Sequence, residues 1–236
     1  MITAARFTLL VAAVLLTACL DFHRGPIPGA PKGATYTSLR GARIHYVDEG
    51  EGPPVVLIHG FASSMGAWKG IRESLRGKHR VIALDLKGFG HSDRPEGDYS
   101  PGEQAEIVLA LLDQRGVEEP VALVAHSWGS SVALEIALRS PERVERVALY
   151  DAWVYEDQLP NVFLWSRADG MGEALIGAFY DERPDDKMAI AFYDPAYVTE
   201  ELIETVEDQL SRPGTKAAAL AAIRGQRFAE VEKKYK

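Results

Sequence analysis

The chain has 236 residues, 47% hydrophobic and 25% charged, with a formal net charge of -8. That length and balance suit one sizeable globular domain, and an acidic chain with no basic run argues against nucleic acid as a partner. Its single cysteine, Cys19, leaves no internal disulfide to form.

The N-terminal stretch "MITAARFTLLVAAVLLTACL" carries one positive charge, Arg6, then an apolar run from Phe7 to Leu16 and small residues. The run is too short to span a bilayer as a mature helix and has the form of a secretory signal. It ends in "LTAC", Leu16 to Cys19, which resembles the bacterial lipobox. That resemblance implies a signal peptide over residues 1–18, a lipid on Cys19, export to the bacterial cell envelope, and the membrane as a partner through the anchor. The bland alternative is an incidental or buried cysteine. Residues 19–34 are rich in Pro and Gly and read as a tether to a domain that starts near Thr35.

"TYTSLRGARIHYVDEG" predicts two short strands turning at Arg40-Gly41. Ala42, Ile44 and Tyr46 alternate with Arg43, His45 and Val47, which makes the second strand half-exposed. "VVLIHG" (Val55 to Gly60), "RVIALD" (Arg80 to Asp85) and "VALVAH" (Val121 to His126) are short continuous apolar runs, the mark of strands buried on both faces. "RVALYDA" (Arg146 to Ala152) is a further strand. "MGAWKGIRESLRG", "SPGEQAEIVLALLDQRG" and "SVALEIALRS" predict helices between them. Ser100 caps the second of these, Pro101 suits its first turn, and Glu103 completes a capping box. Buried strands alternating with helices mean an α/β fold with a mainly parallel sheet and helices on both faces. This core covers residues 35–152. Residues 153–236 hold helical patterns ("GEALIGAFYD", "EELIETVEDQLS", "TKAAALAAIRG") with no clear buried strand, and are expected to form a helical cap.

Ligands of such sheets gather at the C-terminal ends of the strands. Three features fall there. In "AHSWG", Ser127 sits between a strand and a helix, the context of a G-x-S-x-G elbow, with Ala125 in place of the first glycine and Gly129 kept. In "VLIHGFASS", the loop after the strand carries His59-Gly60-Phe61, and His59 reads as a structural histidine of a tight loop. In "DLKGFGHSDRPEG" (Asp85 to Gly97), Asp85 and His91 could pair as acid and base, but a Gly-rich polar loop reads first as a turn.

Taken together, "HGF", "DLKGFGHSDRP" and "AHSWGSSVALEIALRSPERVERVALYDA", followed by a helical cap, resemble the α/β-hydrolase superfamily from about Thr35 onward. The nearest branch is that of lid-bearing esterases and related hydrolases. The resemblance implies a serine nucleophile at Ser127, a transient acyl-enzyme and an oxyanion hole from Phe61 and Trp128. It implies no cofactor, and no residues have metal-ligand spacing. A serine speaks against members that open epoxides or displace halide, which use aspartate at this place.

The family order is nucleophile, then acid, then histidine, the acid after the seventh strand and the base after the eighth. None of the six histidines follows Ser127. "FAEVEKKYK" matches the helix leading to the seventh strand, so about six strands are expected, with the last two, the acid and the base missing. On this reading the chain is C-terminally truncated and inactive or nearly so. His126 should point to the opposite face of its strand. Asp151 could serve as an acid, but reads first as a strand-end aspartate. Nine of the 21 aromatic residues lie between 151 and 200. They suit either an apolar pocket for a small ester-like substrate or the cap's own core. "DERPDD" (Asp181 to Asp186) reads as a solvated acidic loop. The competing reading is a non-catalytic binding protein that keeps the fold and pocket. A perhydrolase-like side activity would use the same serine.

Overall fold

The computed structural model describes residues 20–181, 184, 188 and 192–235. Arg40 and Gly41 both take positive φ (47° and 75°) and reverse the chain between β1 (Thr35–Leu39) and β2 (Ala42–Glu49). That handedness matches the twist of an antiparallel hairpin, and Leu39 faces Ala42 across it. β3 (Pro54–Ile58), β4 (Arg80–Leu84), β5 (Val121–His126) and β6 (Val144–Tyr150) follow. The six strands form one sheet in the order β1-β2-β4-β3-β5-β6, parallel from β4 to β6. Helices α1 (Lys69–Leu75), α2 (Pro101–Gln114) and α3 (Gly129–Arg139) connect the parallel strands.

β3 is buried along its whole length, as its unbroken apolar run predicts. One face of the sheet packs Val56, Ile58, Ile82 and Leu84 with Ile107 and Leu111 of α2 and Val132 and Ile136 of α3. The other packs Val55, Leu57, Val81 and Ala83 with Met65 and Trp68. β5 departs from the prediction. Val121, Leu123 and Ala125 are buried, but Ala122 and Val124 are only partly covered and His126 is exposed. β6 is the sheet edge and is largely exposed, including Val147 and Leu149. Beyond β5 and α3, no described element lies broadly against β6.

The start of α2 shows one local rule yielding to stronger partners. Ser100 Oγ accepts the Glu103 N–H at 3.2 Å, so the cap forms. The reciprocal bond does not. The Ser100 N–H goes instead to Asp98 Oδ1 at 2.8 Å, and the Glu103 carboxylate takes the Arg40 guanidinium at 3.0 Å.

Among the described residues, the cap includes α4 (Asn161–Ser166), α5 (Met171–Phe179), α6 (Glu200–Ser211), α7 (Thr215–Gly225) and α8 (Phe228–Val231). Ala218 and Ala222 of α7 are fully buried in the main core, where small side chains let the helix approach closely. Arg94 ties cap to core. It is fully buried and donates to the carbonyls of Ser92 and Gly90 and to Thr215 Oγ1 at the start of α7. Burial first, then the nearby Arg212 charge, pull its pKa down to about 10.

Residues 20–34 lie along the domain. The His23 N–H donates to the Arg94 carbonyl at 3.1 Å, Phe22 stacks on Tyr99, and Ile27 is buried. Cys19 and most of "DERPDD" fall outside the described residues. Among the described residues no helix is long and apolar enough to cross a membrane.

Candidate active site

From β3 the chain moves to β4 on one side, and β5 returns to pair on the other. The crevice opened by such a reversal lies beyond the C-terminal ends of β3 and β5. Ser127 stands there, at the apex between β5 and α3, with φ 51°. A left-handed non-glycine residue costs on the order of 1–3 kcal/mol and persists only where its surroundings hold it. Here they do. The Ser127 N–H donates to the Tyr150 carbonyl at 2.9 Å, and its carbonyl accepts from Ser130 and Trp153. Ser131 Oγ donates to the Trp153 carbonyl at 2.6 Å and accepts from Gln226 Nε2, so the elbow is fastened both to the end of β6 and to the end of α7.

Gly129 makes the turn possible. A Cβ there would sit 2.4 Å from the His59 carbonyl oxygen and 2.8 Å from that of Ile58. Gly129→Ala must push the backbone of β3 and α3 apart, and is expected to cost about 1–3 kcal/mol in urea-induced unfolding. Ala125, where the elbow pattern has a glycine, is fully buried opposite Ile58 and Leu149, so its extra methyl is accommodated.

His59 is held by both ring nitrogens. Nδ1 donates to the Gly60 carbonyl at 2.7 Å, and Nε2 accepts the Leu86 N–H at 3.0 Å. Burial keeps its pKa below the ordinary histidine value. Phe61 follows, its ring meeting Phe89, Trp128, Phe163 and Tyr180 edge-on. Trp128 is buried directly before α3. Asp151 is exposed at the end of β6 with φ 44°. Among the described residues, no histidine hydrogen-bonds to the Ser127 hydroxyl.

Between core and cap lies a cavity of about 600 Å³, bordered by Phe61, Ala62, Phe163, Ile176, Tyr180 and Leu210 among others. Its wall is mostly apolar. The Tyr180 hydroxyl is buried there without a partner among the described residues, and burial raises its pKa. The cap aromatics meet the two expectations only in part. Phe163, Phe179 and Tyr180 border the cavity, with Phe179 half-exposed, while Tyr155, Trp165, Tyr193 and Tyr197 face solvent and belong to no cap core.

Residues 53–188 match the family model of the alpha/beta hydrolase fold. The chain belongs to that family. It is 31% identical over 151 residues to a cis-3-alkyl-4-alkyloxetan-2-one decarboxylase of Shewanella oneidensis, covering 61% of this chain and 48% of the relative. It is 36% identical over 137 residues to haloalkane dehalogenase 2 of Mycobacterium tuberculosis, covering 58% of this chain and 47% of the relative. The matches thus span about half the length of these curated relatives. Among solved structures it is similar to Cfl2 of Burkholderia cenocepacia, with a TM-score of 0.74 and 27% identity over 86% of this chain and 73% of that one.

The α/β-hydrolase sheet also brings together a group that the sequence pattern concealed. The β2–β4 register sets Tyr46 against Leu84, which places His45 opposite Asp85. Asp85 is fully buried at the end of β4. Its Oδ1 accepts the Met65 N–H at 2.7 Å, and its Oδ2 accepts His45 Nδ1 and the His91 N–H, each at 2.8 Å. Gly90 passes so close that a Cβ on it would lie 2.1 Å from Asp85 Cγ. His91 Nδ1 stays 4.0 Å from Asp85, so the segment turns as read first, and the side chain that pairs with Asp85 is His45. The ligand atoms of His45, Asp85 and His91 lie within 4.8 Å of one another, a spacing compatible with a metal. The bonding is not. Asp85 Oδ2 already receives two donors, and His45 Nδ1 spends its proton on it. The group works as a hydrogen-bonded post that fixes the loop from Asp85 to Gly97.

Proposed function

We propose that this protein is a serine hydrolase that acts on a small, apolar, ester-like substrate through an acyl-enzyme at Ser127. The observation that carries the reading is the left-handed Ser127, pinned at the strand–helix apex, while Phe61, whose ring meets Trp128, borders a cavity of about 600 Å³ with an apolar wall. In the proposed reaction Ser127 Oγ bonds to the ester carbonyl carbon, a base takes the hydroxyl proton, and the alcohol leaves with a proton returned from that base. The Phe61 and Trp128 N–H groups would hold the oxyanion. The named activities of the decarboxylase and dehalogenase relatives support small apolar substrates in general. A serine in the elbow favours the ester.

The base is the missing part. Both ring nitrogens of His59 are occupied, the exposed His126 brings Nδ1 beside Gly60 but makes no hydrogen bond to Ser127 among the described residues, and Asp151 has no histidine to orient. We therefore read residues 1–236 as an elbow, oxyanion loop and pocket without triad histidine or acid. The proposal includes a lipid on Cys19, with the protein exported and tethered to the bacterial envelope, a core over residues 35–152 and a cap over 153–236. A non-catalytic binding protein is the second reading, favoured by a cavity that persists where the base does not.

Chemical rescue separates the two. With p-nitrophenyl butyrate and added imidazole, the wild-type chain is expected to hydrolyse the ester faster than Ser127→Ala. The gain should fall well below the ~10²–10⁴ of a positioned base. Equal rates for the two proteins at every imidazole concentration would sink the serine-hydrolase reading and leave the binding protein.

A further inference from the structure

A second cavity, of about 430 Å³, adjoins the apolar one, and Ala62 and Val206 border both. Its character is different. Ser63, Ser64, His91, Thr205, Gln209 and Arg212 contribute to its wall. Arg212 follows directly after α6, and its side chain is only 10% exposed. Nη2 donates to Asp208 Oδ2 at 2.7 Å, but Nε and Nη1 are buried with no partner among the described residues. An arginine keeps its charge at every ordinary pH, and each buried N–H without an acceptor costs about 1–3 kcal/mol. An oxyanion in the cavity supplies the missing acceptors, and guanidinium binds carboxylate especially well. His91 Nε2 is likewise buried without a partner, and burial first, then the Arg212 charge, favour its neutral ring.

The sign of the ligand follows from the neighbours. Asp85 also borders the cavity, but three donors occupy its oxygens, and Arg72 on the same wall is tied to Glu49. Arg212 is the charge with buried, unpartnered donors, and Arg72, bonded through Nε alone, adds a second positive charge to the wall, so the cavity suits an anion and repels a metal cation. The adjoining cavity is apolar and takes a hydrocarbon. We infer that the two cavities together bind an amphipathic carboxylate, its charged end at Arg212 and its apolar body under the cap. This binding does not depend on the role given to Ser127.

Calorimetric titration of the 236-residue protein with octanoate, 1-octanol and inorganic phosphate tests it. Octanoate is expected to bind at least tenfold tighter than either of the others. Arg212→Gln should erase its advantage over octanol. Asp208→Asn, at a position 65% exposed, removes the competing carboxylate and should tighten octanoate binding several-fold. Octanol binding equal to octanoate, or phosphate binding equally well, would overturn the inference. So would an Asp208→Asn variant with unchanged affinity, a result that stands even if Arg212→Gln fails to fold.

Discussion

Without added imidazole, the wild-type chain and Ser127→Ala are expected to hydrolyse p-nitrophenyl butyrate at indistinguishable rates. A serine hydroxyl is a weak nucleophile until a neighbouring base takes its proton. Loss of such a base in a serine triad costs on the order of 10⁶ in turnover, and the remaining ~10³–10⁴ over water comes from binding and oxyanion stabilisation, which need no serine. Here the candidates are accounted for one by one. His59 donates to Gly60 and accepts from Leu86, so its lone pair is already used. His45 is bonded to Asp85, and His91 lies in the same loop cluster. His126 adjoins Ser127 in sequence and brings Nδ1 beside Gly60, but it makes no hydrogen bond to the hydroxyl among the described residues. Among the described residues, no base is hydrogen-bonded to the serine that the proposal makes the nucleophile. The rate comparison tests this directly, and a fluorophosphonate supplies an independent check. Fast labelling that disappears in Ser127→Ala would mean that one of these residues reaches the hydroxyl after all.

The elbow was legible in the sequence because its cause is local. A buried strand, a tight turn and a helix must meet at Ser127, and only a glycine at position 129 clears the carbonyls of β3. The order of strands and helices was legible for a similar reason, since unbroken apolar runs such as Pro54–Ile58 announce burial on both faces. His45 was not legible. Alternation put it on the same side as Arg43 and Val47, and only the pairing of β2 with β4, decided at long range, seats it against Asp85. The capping box failed in the same way, because Arg40 arrives from a distant hairpin to claim Glu103. The cap aromatics could not be sorted from sequence either. Whether Phe179 borders a cavity or Tyr197 faces solvent depends on how short helices pack, and apolar content alone does not record that.

Asp85→Asn is expected to lower stability by roughly 2–5 kcal/mol, a shift on the order of 5–15 °C in Tm for a chain of this size. The change is isosteric, so it removes bonding rather than volume. The carboxylate accepts from Met65, His91 and His45 in a fully buried site. An amide brings an N–H₂ group that must face at least one of those donors, and the bonds that survive lose their charge assistance. The pH dependence gives a second signature. Burial by itself would raise the Asp85 pKa, but the His45 bond, the nearby His59 and the His91 N–H outweigh it and hold the carboxyl below its ordinary value. A group lowered in this way binds fewer protons folded than unfolded near pH 4, so its contribution is full above about pH 4 and is lost as pH falls through the folded value. His59, lowered by burial, acts in the same direction at a higher range, its contribution present above about pH 6.5 and lost on acidification below that. Wild-type stability measured by urea unfolding should therefore fall in two stages between neutral pH and pH 3. Asp85→Asn should keep the upper stage and shrink the lower one, to which Asp48 and Glu173, both held low by arginine hydrogen bonds, also contribute. A variant as stable as wild type at pH 7, with the same acid limb, would mean that the three donors find other acceptors and that Asp85 is not the post that holds this loop.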